Sequence, residues 1–162
     1  MTYAYKTMNS PVGRLKLIAG PKGLAAVLWE NDPPRRVRIQ STRLDPKLDI
    51  LLEAERQLKE YFSGSRKSFS LPLDLKGTEF QIKVWKRLLT IPYGETRSYG
   101  ELARELGKPN ASRAVGAAVG RNPVSIIIPC HRVIGSSGRL TGFAGGLEAK
   151  ATLLDLEGIS LS

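Results

Sequence analysis

The chain has 162 residues, Lys+Arg 25 against Asp+Glu 15, a net charge of +10 and 41% hydrophobic residues. That length holds one compact unit or two small ones, and the composition is that of an ordinary globular protein, so disorder as the main state is excluded. One cysteine and one histidine exclude an internal disulfide framework and a Cys/His zinc site, which needs three or four such ligands; the count leaves a carboxylate-rich metal site open, although no metal and no cofactor are expected.

From the N-terminus, Arg14 to Ala19 alternates with period two, Pro21-Lys22-Gly23 turns the chain, and Gly23 to Trp29 reads as a second, more buried strand. This predicts a hairpin. Asn31-Asp32-Pro33-Pro34 ends it, and Arg35, Arg36 and Arg38 follow in a solvated loop. Leu48 to Phe62 is a helix by periodicity, with Leu48, Leu51, Leu52, Leu58, Tyr61 and Phe62 on one side and Gly64 as its stop. Phe69 to Leu75 alternates again as a third strand, which Pro72 confines to an edge. Residues 1–75 hold 13 basic and 8 acidic residues and residues 76–162 hold 12 and 7, so each half carries +5. Charge marks no boundary, but pattern does.

The second half opens with Thr78-Glu79-Phe80-Gln81, the spacing of a capping box, before a helix with Phe80, Val84, Trp85, Leu88 and Leu89 on its apolar face. Pro92-Tyr93-Gly94 breaks it. Ser98-Tyr99-Gly100-Glu101 is a second capping box, opening a short helix through Leu106 with Gly107 as its stop. Asn110 caps a third helix, Ala111 to about Arg121. Two short helices joined at Gly107-Lys108-Pro109 make a helix-turn-helix candidate, although such pairs also occur in ordinary bundles. The third helix is nearly smooth, and Gly116 and Gly120 within it cost about 1 kcal/mol each relative to alanine. Something therefore packs close against it, either another helix or a nucleic-acid groove. Arg113, near its third position, opposes the helix dipole. These elements predict an α/β (α+β) chain: a small N-terminal strand/helix domain over 1–75 and a mostly helical domain over 76–162 with a helix-turn-helix.

Asn122 to Val133 carries the chemistry. Ile126 to Ile128 reads as a buried extended piece, and Pro129 restricts its own φ and biases Ile128 to extended geometry. The chain's one cysteine, Cys130, and one histidine, His131, follow side by side. A lone cysteine is commonly an inert buried residue; His131 and Arg132 favour its thiolate, the nucleophilic form. Neighbouring side chains on a strand point apart, so a local turn or a water bridge is required for contact. A base beside a nucleophile also needs an orienting group. The last helix, from about Gly146 to Glu157 with Leu147, Leu153, Leu154 and Leu156 on its apolar side, offers Asp155 and Glu157 in a last turn where carboxylates oppose the dipole, and a solvent-exposed Glu157 stays open on these residues alone. Between them, residues 135–146 hold five glycines, a loop that permits close approach, with Phe143 as an aromatic wall.

Pro129-Cys130-His131-Arg132-Val133 resembles the active-site motif of the O6-alkylguanine-DNA alkyltransferases, or methylated-DNA–protein-cysteine methyltransferases. The resemblance continues through Ser98-Tyr99, Ser112-Arg113-Ala114-Val115-Gly116, Arg121-Asn122-Pro123, Gly145-Gly146-Leu147 and Glu157-Gly158, covering about residues 78–158 in order. Residues 1–75 are similar to the family's variable N-terminal domain in layout only. The resemblance implies single-turnover repair: the protein binds duplex DNA from the minor groove as a monomer, flips out O6-alkylguanine (or O4-alkylthymine), and moves the alkyl group irreversibly to Cys130. His131 is then a base acting through a water and oriented by Glu157, while Tyr99 donates toward the departing guanine. Ala111, Ser112 and Gly116 lie on the helix that enters the groove, Arg113 fills the vacated space, and Asn122 ties the helix-turn-helix to the cysteine segment. Tyr99, Val133, Phe143, Ala144 and Gly145 line the base pocket. Arg132 belongs to the motif without an assigned role. Some members bind a structural zinc, for which this chain lacks the ligands. Phe143 and Ala144 stand where some relatives have hydroxyl residues, which limits base contacts there to the backbone.

Two other readings stay open on the residues: a helix-turn-helix protein that recognises alkylated DNA without transfer, and a Cys–His–Glu hydrolase, whose oxyanion hole has no sequence support. A basic balance suits phosphate polyanions, and Arg97 to Arg139 holds seven basic and two acidic residues, +5 around the expected DNA face. The apolar stretches Leu24–Trp29 and Ile126–Ile128 are far too short to span a membrane. Met1-Thr2-Tyr3-Ala4-Tyr5-Lys6 has no signal-peptide core. A cytoplasmic protein without membrane contact is expected.

Overall fold

The computed structural model describes residues 3–39, 42–135 and 143–160. They form two compact units, Met1–Lys76 with Pro123–Ile127, and Gly77–Asn122 with Ile128–Ser162.

The first unit is a sheet with one helix. The predicted hairpin is present as β2 (Leu15–Gly20) and β3 (Gly23–Trp29). Two strands escape the sequence reading: β1 (Tyr3–Met8), which pairs antiparallel with β2, and the three-residue β4 (Thr42–Leu44), which pairs parallel with β1. The order is β3-β2-β1-β4. Helix α1 (Asp49–Phe62) turns Leu51, Ala54, Leu58 and Tyr61 inward, and Gly64 stops it at φ +85°. Leu52, expected on the apolar side, is exposed.

The third strand expected over Phe69–Leu75 forms only a single bridge, Leu24 to Leu73. Its backbone reaches β3 through Leu24 N donating to Pro72 O and Asp74 N donating to Leu24 O, both at 2.8 Å. Pro72 has no N–H to extend a ladder. Gly23 is required there, because a Cβ at that position would run into the Pro72 carbonyl. Val27 bridges Val124 further along, so two short segments cover an edge of β3. The expected boundary at 75/76 puts residues 123–127 in the second half; in the structure Pro123–Ile127 group with the first unit, where Pro123, Val124 and Ser125 pair with Val27 of β3.

The second unit is mostly helical. Helix α2 (Glu79–Leu88) starts at Thr78 with both halves of the capping box formed. Val84, Trp85 and Leu88 are buried, whereas Phe80 is half-buried and Leu89 lies outside the helix and is exposed. Trp85 Nε1 donates to Ala118 O at 2.8 Å, fastening α2 to α4 (Ser112–Gly120). Helix α3 (Tyr99–Glu105) has its capping box from Ser98. It ends in a Schellman motif: Gly107 sits at φ +74°, Gly107 N donates to Arg104 O at 2.9 Å and Lys108 N to Ala103 O at 2.8 Å. This sharp stop makes the α3–α4 helix-turn-helix.

Asn110 is not the α4 cap. Ala111 N bonds to Lys108 O at 2.9 Å, a turn that delays the helix by one residue, so Ala111 is the N-cap, without a side-chain bond, and Arg113 is the second helical residue. Two short strands, β5 (Arg97–Ser98) and β6 (Val133–Ile134), pair in parallel. Helix α5 (Leu147–Leu156) buries Ala149, Lys150, Leu153 and Leu154; Leu147 is exposed and Leu156 half-buried, contrary to the expected stripe. No helix among the described residues is long and apolar enough to cross a membrane.

Candidate active site

The cysteine segment is buried as expected but not extended. Ile126 sits at φ +73°, and Ile127 N donates to Ser125 O at 2.9 Å, a γ-turn of the hand that is rare and strained, here centred on a β-branched residue. Pro129, at φ −80° and ψ 66°, centres a second γ-turn of the ordinary hand, with Cys130 N donating to Ile128 O at 2.7 Å. Cys130 to Arg132 then wind into one turn of 3-10 helix. This is the local turn that two adjacent reactive residues require.

Asn122 braces the segment. Its Nδ2 donates to Ile128 O at 2.8 Å, the same carbonyl that receives Cys130 N. Asn122→Ala removes one of two donors to a buried oxygen and is expected to cost about 1 kcal/mol in urea unfolding. With the brace gone, the turn that seats Cys130 is held by the Cys130 N bond alone, and the reactivity of Cys130 is expected to fall; a reactivity equal to the parent's would show that the brace is not needed.

His131 is 0% exposed, Arg132 6% and Glu157 6%. His131 Nε2 lies 2.7 Å from Glu157 Oε2. Arg132 donates from Nε to Oε1 at 2.8 Å and from Nη2 to Oε2 at 3.1 Å, and Gly94 N donates to Oε1 at 3.2 Å. Glu157 is the C-cap of α5, where its carboxylate opposes the dipole. A Schellman motif fixes the position: Gly158 is at φ +82°, and Ile159 N donates to Leu154 O at 2.8 Å. Three N–H groups, with the His131 ring beside them, offset the poor location.

Burial lowers the His131 pKa; Glu157 opposes that shift, and the charges of Arg132 and Lys150 add to it. Below about pH 6.5 the unfolded chain therefore binds a proton that the folded one resists, and stability rises with pH across that window. Between about pH 7.5 and 5.5 this histidine is expected to remove about 1 kcal/mol. Urea midpoints at the two pH values measure it, and a His131→Gln chain should show the flatter dependence.

Lys150 is a residue that the sequence reading missed. It is 1% exposed, its Nζ donates to Val133 O at 2.6 Å and sits 5.9 Å from the Phe143 ring centre. Desolvation pushes its pKa down, and the charge of Cys130 acts to raise it. A lysine in line with Leu153 and Leu154 on the inward stripe of a helix was the available signal.

The β5–β6 ladder pairs Arg97 with Val133 and Ser98 with Ile134, which aligns the start of α3, and so Tyr99, with the strand that follows the cysteine turn. Tyr99, Gly100, Ser112, Arg113 and Gly116 line a cleft of about 380 Å³. A Cβ built at Gly116 would touch the Tyr99 ring at 3.7 Å, and one at Gly120 meets no other described atom within 4 Å. Helix α3 thus meets α4 at Gly116 through Tyr99, whereas Gly120 faces no other described atom within that distance. Phe143, Ala144 and Gly145 are half-buried; residues 136–142 of the glycine-rich loop lie outside the described residues. The expected +5 face is also diluted: Arg132 is buried against Glu157, Arg97 pairs with Glu95 at 3.3 Å and Glu105 at 3.5 Å, and Arg139 is not described. Arg104, Lys108, Arg113 and Arg121 remain exposed.

Residues 79–159 match the DNA binding domain of 6-O-methylguanine DNA methyltransferase, and residues 3–75 match the ribonuclease-like domain of the same family. The chain belongs to the methylated-DNA–protein-cysteine methyltransferases. A member from Mycobacterium tuberculosis is 50% identical over 155 residues, covering 94% of this chain and 91% of its own. One from Methanosarcina acetivorans is 47% identical over 154 residues, covering 95% and 97%. The crystal structure of Mycobacterium tuberculosis OGT in complex with DNA superposes with a TM-score of 0.87 at 49% identity, over 96% of this chain and 93% of that one. The α/β architecture expected from sequence is thus the architecture of the family.

Proposed function

We propose that this protein repairs duplex DNA by moving the alkyl group of O6-alkylguanine, and of O4-alkylthymine, irreversibly to Cys130, one lesion per molecule. The observation that carries this reading is the buried His131–Glu157 pair at 2.7 Å directly after Cys130, in a chain of this family. With Nε2–H donating to Glu157, His131 Nδ1 holds the lone pair and accepts the thiol proton through a water. The Sγ–carbon bond forms as the carbon–O6 bond breaks, and the electron pair leaves with the guanine. Tyr99 gives the departing base its proton and regains one from the imidazolium by way of solvent. The thioether persists, so the reaction stops after one turnover.

Arg113, with Ala111, Ser112 and Gly116 on α4, is assigned to the minor groove, where small residues allow close approach and the target base is flipped out. Val133, Phe143, Ala144 and Gly145 are assigned to the base pocket, and Asn122 to bracing the cysteine segment. Residues 1–75 and 76–162 are assigned to an N-terminal domain and a DNA-binding, alkyl-transfer domain. His131, Arg132 and Glu157 belong to one compact unit, which supports action as a monomer, and a free thiol nucleophile suits the reducing cytoplasm. Intact-mass measurement after incubation with a duplex carrying O6-methylguanine tests the proposal. A gain of one methyl on the Cys130 peptide, absent in Cys130→Ala, is expected. Tight binding with unchanged mass would mean recognition without transfer, and repeated turnover would mean a hydrolase.

A further inference from the structure

The turn after α2 does more than stop a helix. Ile91 O accepts from Arg132 Nη1 at 2.7 Å, and the Tyr93 ring lies beside the same guanidinium, its centre 5.7 Å from Cζ. Tyr93 Oη donates to Leu156 O at 3.2 Å, and Gly94 N donates to Glu157 Oε1 at 3.2 Å. Gly94 is at φ +81°, and a Cβ there would lie 3.4 Å from Glu157 O. Residues 91–94 thus seat Arg132 on one side and the end of α5 on the other.

We propose that Arg132, seated by this turn, is a positioning residue for alkyl transfer: it holds Glu157 as an acceptor, so that His131 donates from Nε2 and keeps Nδ1 as the base toward Cys130. This rests on the reading above that Cys130 is the alkyl acceptor. A guanidinium has donors only, and its planar fork matches both carboxylate oxygens, so Glu157 is left with one role toward His131. A lysine is a point donor and cannot hold both oxygens in one plane. Arg132 also bears on the protonation of His131. The charged groups facing that ring are Glu157 from α5, which favours the imidazolium, and Arg132 and Lys150, which disfavour it. Without a charge there the pull of Glu157 is less opposed, so Arg132→Gln is expected to raise the His131 pKa while Arg132→Lys leaves it nearly unchanged.

The test uses full-length Arg132→Lys and Arg132→Gln proteins in two arms: methyl transfer from a duplex carrying O6-methylguanine, and alkylation of Cys130 by iodoacetamide without DNA. Both rates are expected to fall about tenfold or more near pH 7 in each variant; in Arg132→Lys, which keeps the charge, the loss persists at every pH, whereas in Arg132→Gln it shrinks as pH rises. In a Glu157→Gln background, Arg132→Lys is expected to change little further, because its effect passes through that carboxylate. A loss undiminished in that background, or one in Arg132→Gln that does not shrink as pH rises, makes Arg132 merely structural and overturns the proposal. If the parent takes no methyl from DNA, the function reading fails while the iodoacetamide arm still decides on Arg132. If the parent transfers methyl and Arg132→Lys follows its profile in both arms, the positioning role fails alone. Should neither variant fold, imidazole nitrogen-15 shifts of the parent decide. Protonated Nε2 with bare Nδ1 across neutral pH supports the proposal, and the opposite tautomer or an imidazolium overturns it.

Discussion

Replacement of Glu157 by alanine is expected to lower stability by about 3–5 kcal/mol and to slow alkyl transfer by about 10²-fold or more. The carboxylate accepts from His131, twice from Arg132 and from Gly94. Alanine removes all four acceptor positions at once. It leaves the Arg132 guanidinium buried without its counter-charge, and that imbalance, rather than the lost ion pair itself, sets the size of the effect. The Gly94 amide and the His131 ring add desolvation penalties of the usual order, about 1–3 kcal/mol each before relaxation. Glu157→Gln keeps the shape but points an amide N–H₂ at a donor, so its loss of stability is expected to be intermediate. Urea unfolding near pH 7.5 measures the first quantity, and single-turnover mass gain on the Cys130 peptide the second. A Glu157→Ala chain as stable as the parent would mean that another group balances Arg132.

The sequence was most legible where a local rule decides the outcome. Two capping boxes, the glycine stops at Gly64 and Gly107, and the period-two hairpin all depend on neighbours within a few residues, and all formed. β1 and β4 were missed for opposite reasons. β4 has three residues, too few for any period, and β1 draws its stability from being paired on both sides. The Phe69–Leu75 strand failed because alternation reports a half-buried surface, while Pro72 lacks the N–H that a ladder needs.

The site divides in the same way. Cys130 and His131 could be picked out from composition and adjacency, whereas Glu157 was one of two carboxylates badly placed on a helix, beside Asp155, and was chosen by the resemblance. What no spacing could show is how adjacent residues serve one centre. That depends on two γ-turns and a 3-10 turn, conformations held in part by distant partners, such as Ile91 O and Glu157 for Arg132. Arg132 was counted among the basic residues around the DNA face, because net charge does not distinguish a guanidinium in solvent from one locked inside. Lys150 went unnoticed for the same reason, since a lysine is ordinarily exposed.

Arg113→Ala is expected to slow repair of O6-methylguanine in duplex DNA by about 10²-fold while changing the reaction with free alkylated guanine by less than about threefold. Arg113 is exposed at the second position of α4, with no acidic residue in that first turn and no ion pair holding it among the described residues. A cation there is locally unfavourable, and it lines the same cleft as Tyr99. Flipping a base costs a few kcal/mol in lost stacking and pairing. An arginine that occupies the vacated space recovers part of that cost by stacking its planar guanidinium, and about 2–3 kcal/mol corresponds to roughly 30–150-fold in rate. Free guanine is already unstacked, so the benefit vanishes. The same logic grades duplex substrates: a lesion opposite an abasic site, where extrusion is cheap, should reduce the deficit of the alanine variant. Arg113→Lys separates stacking from simple phosphate attraction. A phosphate contact would be restored by lysine and would appear as about one unit in the salt dependence of binding, whereas a stacked intruder would not be rescued. Equal loss on the duplex and on the free base would remove Arg113 from the flipping step.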